Sequence, residues 1–108
     1  MFGKGGMGNL MKQAKEMQVK MAKAQEEVKL LEGKGSAAGD LITININGNR
    51  EFTSVIIKDE VLSEDKDIVE DLILVAANQA ITDINKKIED TMSAATGGML
   101  GGSGLPGL

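Results

Sequence analysis

The chain has 108 residues, 42% of them hydrophobic and 26% charged, which fits one small folded domain and excludes a disordered polymer. It has no Cys and no His, which removes the usual zinc sites, disulfides and thiol or imidazole catalysis; Trp and Tyr are also missing, and Phe2 and Phe52 alone cannot build a stacking platform for single-stranded nucleic acid. The net charge of −4 conceals a polarity, because residues 1–34 carry +3 and residues 35–108 carry −7.

Residues 1–8 hold four glycines and lack the apolar core of a signal peptide, which predicts a flexible Gly-rich tail on a cytoplasmic protein. The string Gly3-Lys4-Gly5-Gly6-Met7-Gly8 matches G-x-G-x-x-G, but a dinucleotide fingerprint needs a strand before it, and here only two residues precede it. Asn9 to Glu32 reads as a helix, with Asn9 as N-cap and Gly33 as its stop. Leu10, Ala14, Met17, Met21, Ala24, Val28 and Leu31 recur at alternating spacings of four and three, a heptad seam. At 1.5 Å per residue this helix is about 36 Å long, more than so small a domain needs for its own core. Its seam is expected to pack along another long helix, in the same chain or a partner.

The middle of the chain reads as β. Ile42, Ile44 and Ile46 alternate with Thr43, Asn45 and Asn47, and Asn47-Gly48-Asn49 supplies the residues of a tight hairpin turn. The return strand runs over Arg50–Ile57, with Phe52, Val55, Ile56 and Ile57 as its bulk. Lys34–Ala38 could add a weak edge strand, with Ser36–Asp40 open between strand and loop. A second long helix follows over Ser63–Ala95, capped by Ser63, with Glu64, Asp65 and Asp67 at its positive dipole end. Ala76, Ala77 and Ala80 allow close approach of a neighbouring element. Residues 97–108, with six glycines and the one proline, predict a second flexible tail. The folded domain is then residues 9–96: an α+β unit with a long N-terminal helix, a small three-stranded antiparallel sheet and a long C-terminal helix. Such a thin core points to a homodimer, with Met17, Met21, Val28, Leu72 and Val75 as candidate interface residues.

Little in the chain suggests catalysis. The acids Asp59, Glu60, Glu64, Asp65, Asp67, Glu70 and Asp71 lack the order of a calcium loop and belong at a helix start in any case. The longest apolar run, Leu72–Ala77, is far too short for the roughly 20 residues that span a bilayer. The reading is a non-enzyme with no metal, cofactor, membrane or small-molecule substrate. The informative set is basic. Lys12, Lys15, Lys20 and Lys23 lie within about 140° of one helix face, opposite the seam, and Lys4 adds a charge from the tail. One reading is a solvated face, with Glu16 pairing Lys12 or Lys20 and Glu27 pairing Lys23. The other is a surface that contacts the phosphates of duplex DNA without base readout. The methionines Met17 and Met21 fit a core filler or an adaptable peptide groove.

The opening GGMGNLMKQAKEMQVKMAKAQEEV, the hairpin G-x-L-I-T-I-x-I-N-G and the stretch EDLILVAANQAITDINKKIED before a Gly-rich tail resemble the YbaB/EbfC family of small bacterial nucleoid-associated proteins. The resemblance covers nearly the whole chain and is most specific over Asn9–Glu27, Asn47-Gly48 and Glu70–Ala80. It implies a helix–three-strand–helix protomer, an intertwined tweezer-shaped homodimer, a cytoplasmic and nucleoid location, and duplex DNA binding that alters DNA conformation and influences gene expression. The alternative is a protein-interaction module that uses the heptad seam, with DNA binding incidental.

Overall fold

The computed structural model describes the backbone of residues 2–97, with side chains from residue 8 to residue 97. Helix α1 (Phe2–Lys29) leads into strands β1 (Glu32–Ala37), β2 (Ile42–Asn47) and β3 (Phe52–Ile57), and a 3-10 turn over Asp59–Ser63 feeds helix α2 (Lys66–Ala95). The strands form an antiparallel meander in the order β1-β2-β3. The α+β class and element order match the sequence reading.

The core lies on one face of the sheet. The alternation in β2 buries Ile42, Ile44 and Ile46, and α2 lies over β1 and β2 with Ala76, Ala80 and Ile84 buried against them. The small residues of α2 therefore approach a strand. In β1 the residues of that face are Gly33, Gly35 and Ala37, all buried. A Cβ at Gly35 would fall on the Ala76 carbonyl oxygen and the Ala80 amide nitrogen, and one at Gly33 would lie 3.0 Å from Ile46 and Ile84 atoms. Gly33 is thus a strand residue chosen for close approach, where the sequence suggested a helix stop. The helix ends instead at Lys29, where Leu30 and Leu31 donate to the Glu27 and Val28 carbonyls.

Other boundaries also differ from the sequence reading. The backbone of α1 is helical from Phe2, through the glycines assigned to a tail, so Asn9 is an interior residue and no cap. Glycine costs about 1 kcal/mol per position relative to alanine, which weakens a helix continued from a nucleus downstream without forbidding it. Ser63 belongs to the 3-10 turn, where its Oγ donates to the Glu60 carbonyl at 3.0 Å. The N-cap of α2 is Asp65, whose carbonyl accepts from Ile68 and Val69. The β2–β3 turn is wider than a two-residue hairpin: the Asn47 side-chain oxygen accepts from the Asn49 and Glu51 amides, and Arg50 takes a left-handed φ of 62°. Strand β3 consequently starts at Phe52. The Ser36–Asp40 question divides, with Ser36 and Ala37 in β1 and Ala38–Asp40 in the turn. At the other end Gly97, with φ of 64°, follows α2, and the expected tail beyond it lies outside the described residues.

The two sheet edges are finished differently. Three residues of α2 at spacing i, i+4, i+8 close the free edge of β1. Gln79 Oε1 accepts the Ser36 amide at 3.2 Å, Asp83 Oδ2 accepts the Lys34 amide at 2.9 Å, and Lys87 Nζ donates to the Glu32 carbonyl at 2.8 Å. The Lys34 amide, opposed by partial burial and aided by Lys87, holds the Asp83 carboxyl below its ordinary pKa. Among the described residues no equivalent hydrogen-bonded cover lies on β3, and α2 packs chiefly on the other two strands.

Candidate nucleic-acid interface

The basic face is carried by α1. From Gly8 to Glu16 every side chain is exposed, including Leu10 and Ala14 of the seam. Met17, Met21, Val28 and Leu31 are half-buried, and only Ala24 is fully buried. The C-terminal half of the seam therefore meets α2 of the same chain, and the N-terminal half stands clear of the body as an arm. The molecule measures 76 × 29 × 16 Å, and the arm contributes to that length.

All four lysines read from the described part of the helix are exposed: Lys12, Lys15, Lys20 and Lys23. The structure splits them into two pairs. Lys12 and Lys15 sit on the free arm. Lys20 and Lys23 line a crevice of about 300 Å³ between α1 and the end of α2, together with Glu27, Thr91, Ala94, Ala95 and Gly97. Unsatisfied carbonyls give a helix C-terminus a partial negative charge, and the last turn of α2 has no basic residue of its own. The crevice holds Lys20 and Lys23 beside that end. Among the described residues none of the four lysines forms an ion pair, so the i,i+4 pairs with Glu16 and Glu27 that the spacing allows are not made. The side chain of Lys4 lies outside the described residues.

A second basic group was not visible in the sequence. Lys34 of β1 and Lys86 and Lys87 of α2 border an open groove of about 700 Å³ with Asn78, Gln79, Thr82 and Asp83. Lys86 is paired with Asp90 and Lys87 with Asp83, both at 3.2 Å. Two of its three charges are therefore already answered by carboxylates. The adjacent Lys86-Lys87 was the available signal, but Lys34 joins them only through the packing of β1 on α2. Arg50 is also engaged, its Nε donating to Asn85 Oδ1 at 2.8 Å. The acids Asp59 to Asp71 gather at the 3-10 turn and the start of α2, and among the described residues no three carboxylates converge as metal ligands would.

Of the candidate interface residues, Met17, Met21 and Val28 are half-buried, and Leu72 packs on the protomer's own core. Val75 is the freest of the five, at 47% exposed. No helix among the described residues is long and apolar enough to cross a membrane.

Two helices on one face and one end of a three-stranded meander, with a basic arm extending from them, define an architecture shared with solved structures. A crystal structure of an uncharacterized protein from Helicobacter pylori matches with a TM-score of 0.56 over 78% of this chain and 94% of that one, at 23% identity, and shows the same fold. The sequence model of the YbaB/EbfC DNA-binding family matches residues 3–99, and the chain belongs to that family.

Proposed function

We propose that this protein binds duplex DNA as a homodimer in the bacterial cytoplasm and nucleoid, through phosphate contacts made by Lys12, Lys15, Lys20 and Lys23 of each copy, with Lys4 as a further contact. It acts without catalysis, alters the conformation of the DNA it holds, and so helps organise the chromosome and influences transcription. The observation that carries the reading is a set of exposed lysines that form no ion pair among the described residues, Lys12 and Lys15 on an arm that stands clear of the body and Lys20 and Lys23 beside the end of α2, in a chain of a DNA-binding family. Contacts of this kind neutralise phosphates and release counterions, so they read no base and depend steeply on salt. An acidic body does not oppose them, because charges beyond a Debye length of about 10 Å at 0.1 M salt are largely screened.

The dimer is supported by apolar surface that one copy leaves open. Leu10 is 65% exposed in the seam, and Val75 adds to it on α2. A free seam of this kind also fits a partner helix, which is the competing reading.

The test is a titration of the protein against a random-sequence duplex at 50 and 200 mM salt, with its mass in solution measured in parallel. Neutralising four phosphates predicts a fall in affinity of about a hundredfold across that interval, and eight predict on the order of ten-thousandfold. A dimer that fails to bind at the lower salt contradicts the DNA reading and favours the partner helix.

A further inference from the structure

We propose that the basic face of α1 crosses the major groove of B-form DNA, with its lysine pairs on the phosphates of opposite strands and Glu16 and Val19 over the base edges between them. This crossing rests on the phosphate contacts proposed above, and it adds the groove, the form of duplex and two further residues.

Residues 12–23 read K-x-x-K-E-x-x-V-K-x-x-K. Lys12 and Lys15 are repeated eight residues later by Lys20 and Lys23, about 12 Å further along the axis at 1.5 Å per residue. Glu16 and Val19 flank the axial midpoint of that set, and at 100° per residue each lies within about 30° of its mean direction. Lys15, Glu16, Val19 and Lys20 together border one open hollow of about 420 Å³. The centre of the basic face is therefore not basic. It holds one carboxylate and one branched apolar side chain, both exposed, Val19 at 67%. Glu16 stands four residues from both Lys12 and Lys20, yet among the described residues it forms no ion pair. Ala24, buried where α1 meets α2, points about 110° away from the centre of this face, so its approach is open.

A helix laid along one strand would set the Glu16 carboxylate against the phosphates that its lysines grip, and like charges repel. Val19 gains nothing from a phosphate either. Across the major groove both difficulties disappear. That groove is about 12 Å wide, the separation of the two lysine pairs, and it admits a helix about 10–12 Å across. Its floor holds no phosphate. It presents cytosine N4 amino groups, which donate to a carboxylate, and thymine methyl groups, which pack on an aliphatic side chain. The minor groove, about 6 Å wide, does not admit the helix, and neither does the deep, narrow major groove of A-form RNA. The lysines still read no base. The centre of the face adds a mild preference for C·G pairs beneath Glu16.

The full chain is titrated at 50 mM salt against three duplexes of one random sequence and equal length: DNA, RNA, and DNA whose cytosines carry glucosyloxymethyl groups that fill the major groove. The RNA and the glucosylated DNA are expected to bind about tenfold more weakly than plain DNA, or weaker still, although all three carry the same phosphate charge. In parallel, Glu16→Gln is compared with the parent on C·G-rich and A·T-rich duplexes. Glutamine pairs with adenine where a carboxylate accepts from cytosine, so the ratio of the two affinities is expected to move about fivefold toward A·T. Equal binding to all three duplexes, or a Glu16→Gln effect that is the same on both compositions, overturns the crossing and leaves the lysine contacts standing. Failure to bind any duplex overturns the DNA reading itself.

Discussion

Replacing Lys12 and Lys15 with glutamate is expected to weaken binding to every duplex alike by about a hundredfold or more at low salt. Both side chains are exposed, neither forms an ion pair among the described residues, and both sit on the stretch of α1 where every described side chain is exposed. On the proposed reading each supplies a phosphate contact whose loss lowers the salt slope by about one, and reversal adds repulsion to the loss. In a dimer the change is made twice. The stability of the fold is expected to stay within about 0.5 kcal/mol of the parent, as for other exposed positions away from special features. The glutamine pair Lys12→Gln and Lys15→Gln separates the two effects, because it removes the contacts without repulsion. Filter binding or fluorescence anisotropy on two unrelated duplexes reads both consequences. Unchanged affinity for the double glutamate variant removes the arm from the interface.

The second large effect is on folding. Gly35→Ala is expected to cost roughly 3 kcal/mol, and Gly35→Val to leave the chain unfolded at 25 °C. The added Cβ meets backbone atoms of Ala76 and Ala80, which cannot turn aside as a side chain can. Relief requires α2 to lift from β1. That opens the contacts around Ile44 and Ile84 and pulls Gln79 and Asp83 from the amides they accept. Overpacking in a core costs about 1–3 kcal/mol even where side chains can adjust. Gly8→Ala is the control, since nothing lies within 4 Å of its added carbon and it occupies a helix. Urea denaturation followed by circular dichroism separates the variants, and a Gly35→Ala chain as stable as the parent refutes the close approach of helix and strand.

The order of elements was legible because hydrophobic period changes along the chain. Spacings of four and three run from Leu10 to Leu31, alternation holds from Ile42 to Ile46, and helical spacing returns from Ile68. What escaped was set by contacts between distant residues. Gly33 has the local signature of a helix stop, and only the arrival of Ile84 from far along the chain shows why a strand residue without a side chain is needed there; Gly35, inside the expected edge strand, meets Ala76 and Ala80 in the same way. Gln79, Asp83 and Lys87 form a polar stripe that any solvated helix face could carry. Its role as the seal of a sheet edge exists only once β1 lies beside it. The helical start at Phe2 was hidden for a different reason. Glycine composition weakens a helix without ending it, so composition alone could not place the boundary.

The lysine set was legible as a face and no further. Spacing placed Lys12, Lys15, Lys20 and Lys23 together, and it left the carboxylate pairings open. It could not distinguish the two lysines on the free arm from the two beside the last turn of α2, because that division depends on where α2 ends against Ala24. Lys34 could not be joined to Lys86 and Lys87 for the same reason.

The measurement that tests the central claim most directly is lysine footprinting. The protein is acylated at low salt with and without a saturating random-sequence duplex, and modification is read residue by residue by mass spectrometry. Protection of Lys12 and Lys15, with lesser protection of Lys20 and Lys23 and none of Lys66, is the predicted result. Equal modification of Lys12 and Lys15 in both states, with protection centred on Lys34, Lys86 and Lys87, would contradict the account and move the DNA from the arm to the body of the protein.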